Sequence, residues 1–402
     1  MKSLYSYYQH QTILPTFADF KGDEDLSRYA ALRDRLFTEK LFIPRRYFDG
    51  LSILQFGPDS GEDALVFARN GARLTLVEPN LRAHGPIGEY FKRFDLADRL
   101  EALIAGDVEE FQSERQFDLI DAEGFIYTVQ PIARWLASFN RLLLPGGLFV
   151  ITYYDRLGGF VELCLKAIYH SARRVRGGDA EQTARDLYAK KWDSIPHTRR
   201  FESWVMDVLN NPFVRLKYFL DASDLCRQAL EHGFQLYSSW PSYHDSLDMY
   251  WHKRLLARED LLLRSEVHVG RSALSFLTGY KAYLHSSDLA WIRSVGERVN
   301  RLVEDVDVLI ERADAAALSG VRETLRYVED LVGGERVLTD GGERQAAAVG
   351  LIRSLREAFD RIAAGDIAAL EAHTTSDADF IAGWGMPNHV GVFCKYADIT
   401  QP

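Results

Sequence analysis

Apolar and polar positions follow two different periods along this chain. Ile53, Leu54 and Phe56 form a short apolar run that ends at Gly57. In the stretch Glu62–Asn70, Ala64, Leu65, Phe67 and Ala68 share one helical face, and Asn70-Gly71 supplies a helix stop. Arg73–Val77 is a second β run with Glu78 at its carboxyl end. An amphipathic helix near Arg82–Phe94 leads to a third run, Arg99–Ile104, and then to Ala105-Gly106-Asp107. The fourth run, Phe117–Asp121, is followed by Ala122-Glu123-Gly124. Pro131–Leu144 places Ile132, Trp135, Leu136 and Phe139 at helical spacing. A tight turn at Pro145-Gly-Gly147 then precedes a fifth strand, Leu148–Tyr153. Strands alternating with helices predict an α/β fold, with a parallel sheet covered on both faces.

The flanking segments change the rhythm. Leu26–Phe37 has helical spacing, and Asp49-Gly50 closes the first 50 residues with a turn. A helix across the mouth of the sheet is expected there, with Tyr7, Tyr8 and His10 either touching a ligand or serving as packing and surface residues. Residues 156–221 are too long for a simple connection and read as a helical insertion over the ligand end of the sheet. Ser223–His232 and Phe234–Trp240 resume the pattern as a helix and a sixth strand. Residues 245–387 read as an antiparallel helical bundle. In Asp288–Ala313, Ile292, Val295, Val299, Leu302, Val306 and Leu309 follow three- and four-residue steps. That run is short for a coiled-coil dimer, so bundle core is the preferred reading. Residues 388–396 alternate and then turn apolar, as a seventh strand returning to the sheet would. The expected organisation is a segment 1–50 capping the site, a sheet domain 51–244 containing the insertion, the bundle 245–387, and the final strand.

Composition narrows the class. The 402 residues are 47% hydrophobic and 26% charged, ordinary values for a globular protein. The formal net charge of −10 argues against general nucleic-acid binding. Three cysteines, far apart, suggest a reducing compartment and no zinc motif. No run of apolar residues is long enough to span a bilayer, and the first residues lack an apolar leader core, so a cytoplasmic location without membrane or nucleic-acid partners is expected.

In a parallel sheet of this kind, ligand contacts cluster at the carboxyl ends of the strands. Those ends are Gly57-Pro58-Asp59-Ser60-Gly61, Glu78-Pro79, Asp107-Val108, Glu123, and Tyr154 with Asp155. Gly57 to Glu78 is a βαβ nucleotide-binding unit, in which backbone approaches the ligand at the turn and a carboxylate accepts from ribose hydroxyls. Asp107 has a second reading as the N-cap of the segment after it, and Glu123 one as a capping or surface carboxylate. The tighter Gly-x-Gly-x-x-Gly spacing of nicotinamide-binding dehydrogenases is absent.

Taken together, Gly57–Gly61, Glu78, Gly106-Asp107 and Pro145-Gly-Gly147 resemble the class I S-adenosylmethionine-dependent methyltransferases over residues 50–155, and more loosely over 222–240. The resemblance implies a Rossmann-like, mostly parallel seven-stranded sheet with S-adenosyl-L-methionine as cofactor. It places Glu78 on the ribose hydroxyls, Asp107 near the adenine amino group, and the glycine loop under the methionine moiety. Two residues depart from the family pattern. Gln55 stands where an acidic residue is usual, and Asp59 where a middle glycine is common. Gln55 can hydrogen-bond a methionine ammonium without a countercharge, and Asp59 is a candidate for the missing carboxylate.

The expected reaction is methyl transfer to an oxygen or nitrogen of a small-molecule or carbohydrate-like acceptor. Glu123 and Tyr154 are the candidate catalytic residues. Tyr127, Arg199, Arg200 and Trp204 are the candidate acceptor contacts, the two arginines suiting an anionic group. The helical regions would form an acceptor lid and an oligomer or partner surface, a homodimer among the options. Two other readings stand beside this one: a scaffold that keeps the fold without catalysis, and a protein or peptide methyltransferase.

Overall fold

The computed structural model describes residues 4–11, 20–177, 179–194, 200–243, 269, 289–333 and 342–396. The chain divides into two compact units: Met1–Tyr153 with Ser223–Ser265 and His389–Pro402, and Tyr154–Ala222 with Glu266–Asn388. The helical insertion and the helix-rich region thus belong to one unit, where the sequence suggested two separate additions to the sheet domain.

The first unit is built on one seven-stranded sheet. Its strands are β1 (Ser52–Phe56), β2 (Arg73–Val77), β3 (Leu100–Ile104), β4 (Phe117–Ala122), β5 (Leu143–Tyr154), β6 (Phe234–Trp240) and β7 (Asn388–Lys395). They lie in the order β3-β2-β1-β4-β5-β7-β6. The pairs β1–β2, β1–β4, β2–β3 and β4–β5 are parallel, and β7 runs antiparallel to β6. The carboxyl ends of β3, β2, β1 and β4 therefore lie side by side, which brings Asp107, Glu78, Gly57 and Glu123 to one edge of the sheet. β1 is buried along its whole length, as a central strand covered on both faces must be.

The helices of this unit are α1 (Leu4–Gln11), α2 (Asp23–Arg35), α3 (Glu62–Arg69), α4 (Leu81–Arg93), α5 (Ile132–Leu142) and α9 (Ala222–Glu231). α2 packs on α3. Phe37, just beyond α2, meets Phe48 and Phe67 at ring separations of 5.1 and 5.6 Å, pinning the N-terminal segment to the sheet. α1 has no apolar period in the sequence and was not expected. It is held by the buried Leu4 and Tyr7. The turn at Pro145-Gly-Gly147 lies inside β5 rather than before it. β5 begins at Leu143, and its register against β4 jumps from Phe117↔Leu143 to Leu119↔Leu148. The chain bulges at this point and continues as strand.

The second unit contains α6 (Phe160–Arg176), α7 (Ala180–Trp192), the short α8 (Phe201–Trp204), and helices Leu289–Glu311, Ala315–Gly333, Gly342–Ala363, Ile367–Ser376 and Ala378–Ala382. Its core includes two buried lysines. Lys191 Nζ donates to the carbonyls of Phe380 and Gly383, and Lys166 Nζ to those of Asn211 and Val214. Each lysine nitrogen thus satisfies two backbone carbonyls. Arg215 pairs with Asp307 at 2.5 Å. Asn211 forms an Asx turn by accepting from the Phe213 N–H at 2.9 Å. Among the described residues no helix is long and apolar enough to cross a membrane.

Candidate functional site

The glycine loop connects β1 to α3 through three residues of positive φ, two of them glycines that make close approaches. Gly57 sits at φ +61, and a Cβ there would lie 2.9 Å from the Phe125 ring. Asp59 adopts φ 50, a conformation asparagine and aspartate tolerate better than most residues. Gly61 sits at φ +94, where a Cβ would meet Ile87 at 3.1 Å. Pro58 and Ser60 are buried, and Ser60 Oγ donates to Glu62 Oε2 at 2.6 Å. The Gly57 N–H donates to the Val77 carbonyl at 2.9 Å, tying the loop to the end of β2.

Glu78 stands at that end and is almost fully buried. Its two oxygens accept from different backbone donors, the Asp59 N–H at 3.1 Å and the Asn80 N–H at 2.6 Å. Burial pushes its carboxyl up to about 7, against these bonds and with help from the Asp59 charge. His84 Nε2 lies 2.8 Å from the Glu78 carbonyl, on the first turn of α4. Tyr5 of α1 donates to the Pro79 carbonyl. Its phenol is pushed up by burial and then by the charges of Glu78 and Asp107, which locates α1 over this corner of the sheet. Tyr7 is buried and meets the Tyr8 ring at 5.6 Å, so its role is packing; the side chain of His10 lies outside the described residues.

Asp107 uses Oδ1 to cap the turn after β3, accepting from Glu109 N–H at 2.9 Å and Glu110 N–H at 3.0 Å. Its N-cap role and its place beside the cofactor edge therefore coexist. Val108 is buried next to it.

A second cluster occupies the ends of β1 and β4. Gln55 Nε2 donates to Asp121 Oδ2 at 2.8 Å, and both residues are buried on paired positions of adjacent strands. Asp121 of β4 and Glu123, the residue after the strand's end, share a hydrogen bond. Arg33 of α2 forks onto Glu123 with both terminal nitrogens, and its Nε lies 2.9 Å from Asp63 of α3. Tyr29 donates to the same Asp63 at 2.9 Å. The Glu123 carboxyl would be pushed up by burial, but Arg33, Asp121 and Thr152 together hold it below the ordinary glutamate value. Asp121 goes the other way: burial, then the Glu123 charge, push it well up. One guanidinium thus lies against two carboxyl groups, Asp63 and Glu123, and the buried Asp121 beside them favours its neutral form.

Tyr127 is buried in the short turn after β4. Tyr154 belongs to the second unit, where it stacks on Phe219 at 5.0 Å. Trp204 is buried in that unit among Tyr188, Trp192, Phe201 and Trp384, which makes it part of an aromatic core. Arg200 is exposed, and Arg199 lies outside the described residues. The structure therefore brings together the cofactor candidates Gln55, Gly57–Gly61, Glu78, Pro79, Asp107, Val108 and Glu123 in one unit. The acceptor candidates are divided between the units.

Four residues of this edge were missed in the sequence. Asp121 carried a signal, as an acidic residue inside an apolar strand. Asp63, Tyr5 and Arg33 carried none, because each reaches the site through folding of a surface helix onto the sheet.

The methyltransferase domain model matches residues 24–239, more than half of the chain. The chain belongs to this methyltransferase family. It is a class I S-adenosylmethionine-dependent methyltransferase, and S-adenosylmethionine is its cofactor. No curated protein matches its sequence significantly. Among solved structures, the chain is similar to the N-methyltransferase NodS from Bradyrhizobium japonicum, solved with S-adenosyl-L-homocysteine: 17% identity over 39% of this chain and 74% of that one, with a TM-score of 0.29. Similarity to the glycopeptide N-methyltransferase MtfA, at 20% identity and a TM-score of 0.25, covers 27% of this chain and only 52% of that one. A putative sarcosine dimethylglycine methyltransferase from Galdieria sulphuraria aligns over 98% of both chains at 11% identity and a TM-score of 0.38.

The residues of this methyltransferase fit the cofactor. A buried carboxylate at the end of β2 suits two ribose hydroxyls, and a glycine loop with φ +61 and +94 suits close backbone approach. The buried atoms Gln55 Oε1 and Asp121 Oδ1 meet no N–H or hydroxyl donor of the protein. That is the arrangement a polar, cationic ligand group would complete.

Proposed function

We propose that the enzyme methylates an oxygen or nitrogen of a small-molecule or carbohydrate-like acceptor, with Glu123 as the residue that orients the acceptor. Bound S-adenosylmethionine supplies an electrophilic methyl on a sulfonium. The protein's own task is alignment in a site from which water is excluded. The observation that carries the reading is the Arg33–Glu123 pair at the end of β4. Arg33 keeps Glu123 ionised, so Glu123 accepts a hydrogen bond from an O–H or N–H and holds the lone pair of that atom in line. A carboxylate held this far down is a weak base, so its contribution is orientation, and the acceptor's proton leaves to solvent once the new bond has formed. Tyr127, on the turn after β4, is a candidate to line the same acceptor position.

The test is methyl-labelled cofactor with a protein-free metabolite extract, read by mass spectrometry. Label on a small hydroxyl or amine product supports the reading. Label that appears only when protein is present in the extract, and disappears on protease digestion, refutes it. With the acceptor in hand, Glu123→Gln should lower kcat by roughly ten- to a hundredfold.

A further inference from the structure

The family pattern leaves one charge unaccounted for. The methionine moiety of the cofactor carries an ammonium, and the residue at the end of β1 that would face it is Gln55, which has no charge. The Asp59 N–H is bound to Glu78 at the end of β2, and the Asp59 charge acts on Glu78 there. We propose that Asp121, held by Gln55, is the seat of the cofactor's α-ammonium, the carboxylate standing on β4 instead of β1. This rests on the cofactor assignment and not on the identity of the acceptor.

Three observations support it. First, Gln55 and Asp121 are register partners on adjacent parallel strands, so their side chains leave the same face of the sheet at the same height. Second, Gln55 Nε2 is spent on Asp121 Oδ2 at 2.8 Å, which turns the amide so that its oxygen is left over. The two leftover atoms, Gln55 Oε1 and Asp121 Oδ1, are both fully buried and neither meets an N–H or hydroxyl donor of the protein; the other group against Asp121 is the Glu123 carboxyl. A pair of buried acceptors calls for a donor, and an ammonium brings three N–H groups and no acceptor. Third, the pair adjoins the glycine loop, since Gln55 is two residues before Gly57, and the loop is where the methionine moiety is expected.

The charges around Asp121 give the seat its selectivity. From the turn after β4 comes Glu123, from α2 Arg33, from α3 Asp63, and from β1 the neutral Gln55. Tyr29 of α2 is bound to Asp63. Arg33 is engaged with Asp63 and Glu123, so Asp121 has no countercharge of its own. An arriving ammonium supplies one and favours the ionised carboxylate. A neutral group of the same size supplies none and gains little.

The experiment compares three ligands by calorimetry: S-adenosylhomocysteine, its deaminated analogue lacking the ammonium, and 5′-methylthioadenosine, which lacks the whole amino-acid part. The wild-type protein is expected to bind the first at least tenfold more tightly than the second. Asp121→Asn should erase that preference while leaving methylthioadenosine within twofold, which also shows that the variant is folded. The double variant Gln55→Glu/Asp121→Asn returns the carboxylate to β1 and should restore the preference. The proposal is overturned if Asp121→Asn keeps the tenfold preference, or if it weakens the deaminated analogue as much as the parent. Should Asp121→Asn alone fail to fold, the double variant decides: preference kept supports the seat, and preference lost overturns it. Failure of the wild-type protein to bind any of the three ligands would instead remove the cofactor assignment.

Discussion

Glu78→Gln is expected to stabilise the cofactor-free protein at pH 8 while weakening cofactor binding. The carboxyl of Glu78 is pushed up to about 7 from an ordinary 4.5, chiefly by burial. At 1.36 kcal/mol per tenfold change in proton affinity, that difference is about 3 kcal/mol. The sign follows from the direction. Below pH 4.5 folded and unfolded chains both hold the proton, and Glu78 contributes nothing. Between 4.5 and 7 the folded chain keeps a proton that the unfolded chain has lost, so stability falls as pH rises. Above 7 both forms are ionised and the folded state carries the whole cost of a buried charge. Glutamine never ionises and escapes that cost. It pays in another way: the two oxygens of Glu78 accept from Asp59 N–H and Asn80 N–H, and an amide has one oxygen for two donors. That mismatch costs about 1–2 kcal/mol at every pH.

The stability difference between variant and wild type should therefore swing by about 3 kcal/mol from pH 4.5 to pH 8, with glutamine worse at the acidic end and better at the basic end. Urea unfolding of the two proteins across that range measures it. Asp155 and Glu162 are also pushed up to about 7 by burial, and they titrate alike in both proteins, so they cancel in the difference. A difference that stays constant with pH would refute the argument, because the amide mismatch is then the whole effect. Binding moves the other way. If Glu78 holds the ribose as proposed, its ionised form can accept from two hydroxyls and its protonated form from fewer. Wild-type affinity for S-adenosylhomocysteine should weaken as pH falls below about 7, and glutamine should weaken it by roughly tenfold at pH 8 and flatten its pH dependence below 7.

Other substitutions probe the rest of the edge. Arg33→Met strands Asp63 and Glu123 without a countercharge and should cost about 3–5 kcal/mol by chemical unfolding; adding Asp63→Asn and Glu123→Gln should recover part of the loss, and an equal or larger loss in the triple variant would contradict the pairing. Gly57→Ala forces a Cβ to 2.9 Å from Phe125 at a left-handed φ, and should weaken S-adenosylhomocysteine by about 1–2 kcal/mol in a binding titration, with partial rescue by Phe125→Leu. Tyr5→Phe removes the bond that holds α1 to the Pro79 carbonyl; stopped-flow release of S-adenosylhomocysteine should speed up several-fold, and an unchanged rate would show that α1 does not cover the cofactor.

The sheet was largely legible because its strands are buried on both faces and separated by amphipathic helices. Apolar runs ending at Gly57, Glu78, Asp107 and Glu123 are set by that geometry, and their order along the chain suffices to place four strand ends at one edge. The bulge at Pro145-Gly-Gly147 was misplaced by a few residues because Pro and Gly mark a break without saying whether pairing resumes on the same strand. α1 could not be read at all. Its residues have no helical apolar stripe, and its position depends on Leu4, Tyr7 and one hydrogen bond from Tyr5. The acid cluster was half legible. Glu123 and Gln55 stood at expected positions, but their meaning depends on Arg33 and Asp63, which come from separate helices. Trp204 shows the opposite failure. An aromatic residue beside arginines reads as a binding surface, and folding buried it among four other rings.

The two clusters at the carboxyl edge share one physical feature that links stability to binding. Each holds polar groups in a state the protein alone does not complete: Glu78 carries the cost of a buried charge above pH 7, while Gln55 and Asp121 expose buried acceptors to no donor. A ligand that brings hydroxyl donors to the first and an ammonium to the second relieves both at once, so the free energy stored in the empty site reappears as affinity. This ordering also predicts which residues tolerate change. Above pH 7, substitutions that neutralise Glu78 or Asp121 should leave the protein without cofactor as stable or more stable, whereas removal of Arg33, whose partners are already inside the protein, should destabilise it whether or not cofactor is present. A site selected only for stability would show neither pattern. The opposed responses of Glu78 and Arg33 in the same sheet edge therefore separate groups arranged for the ligand from groups arranged for the fold.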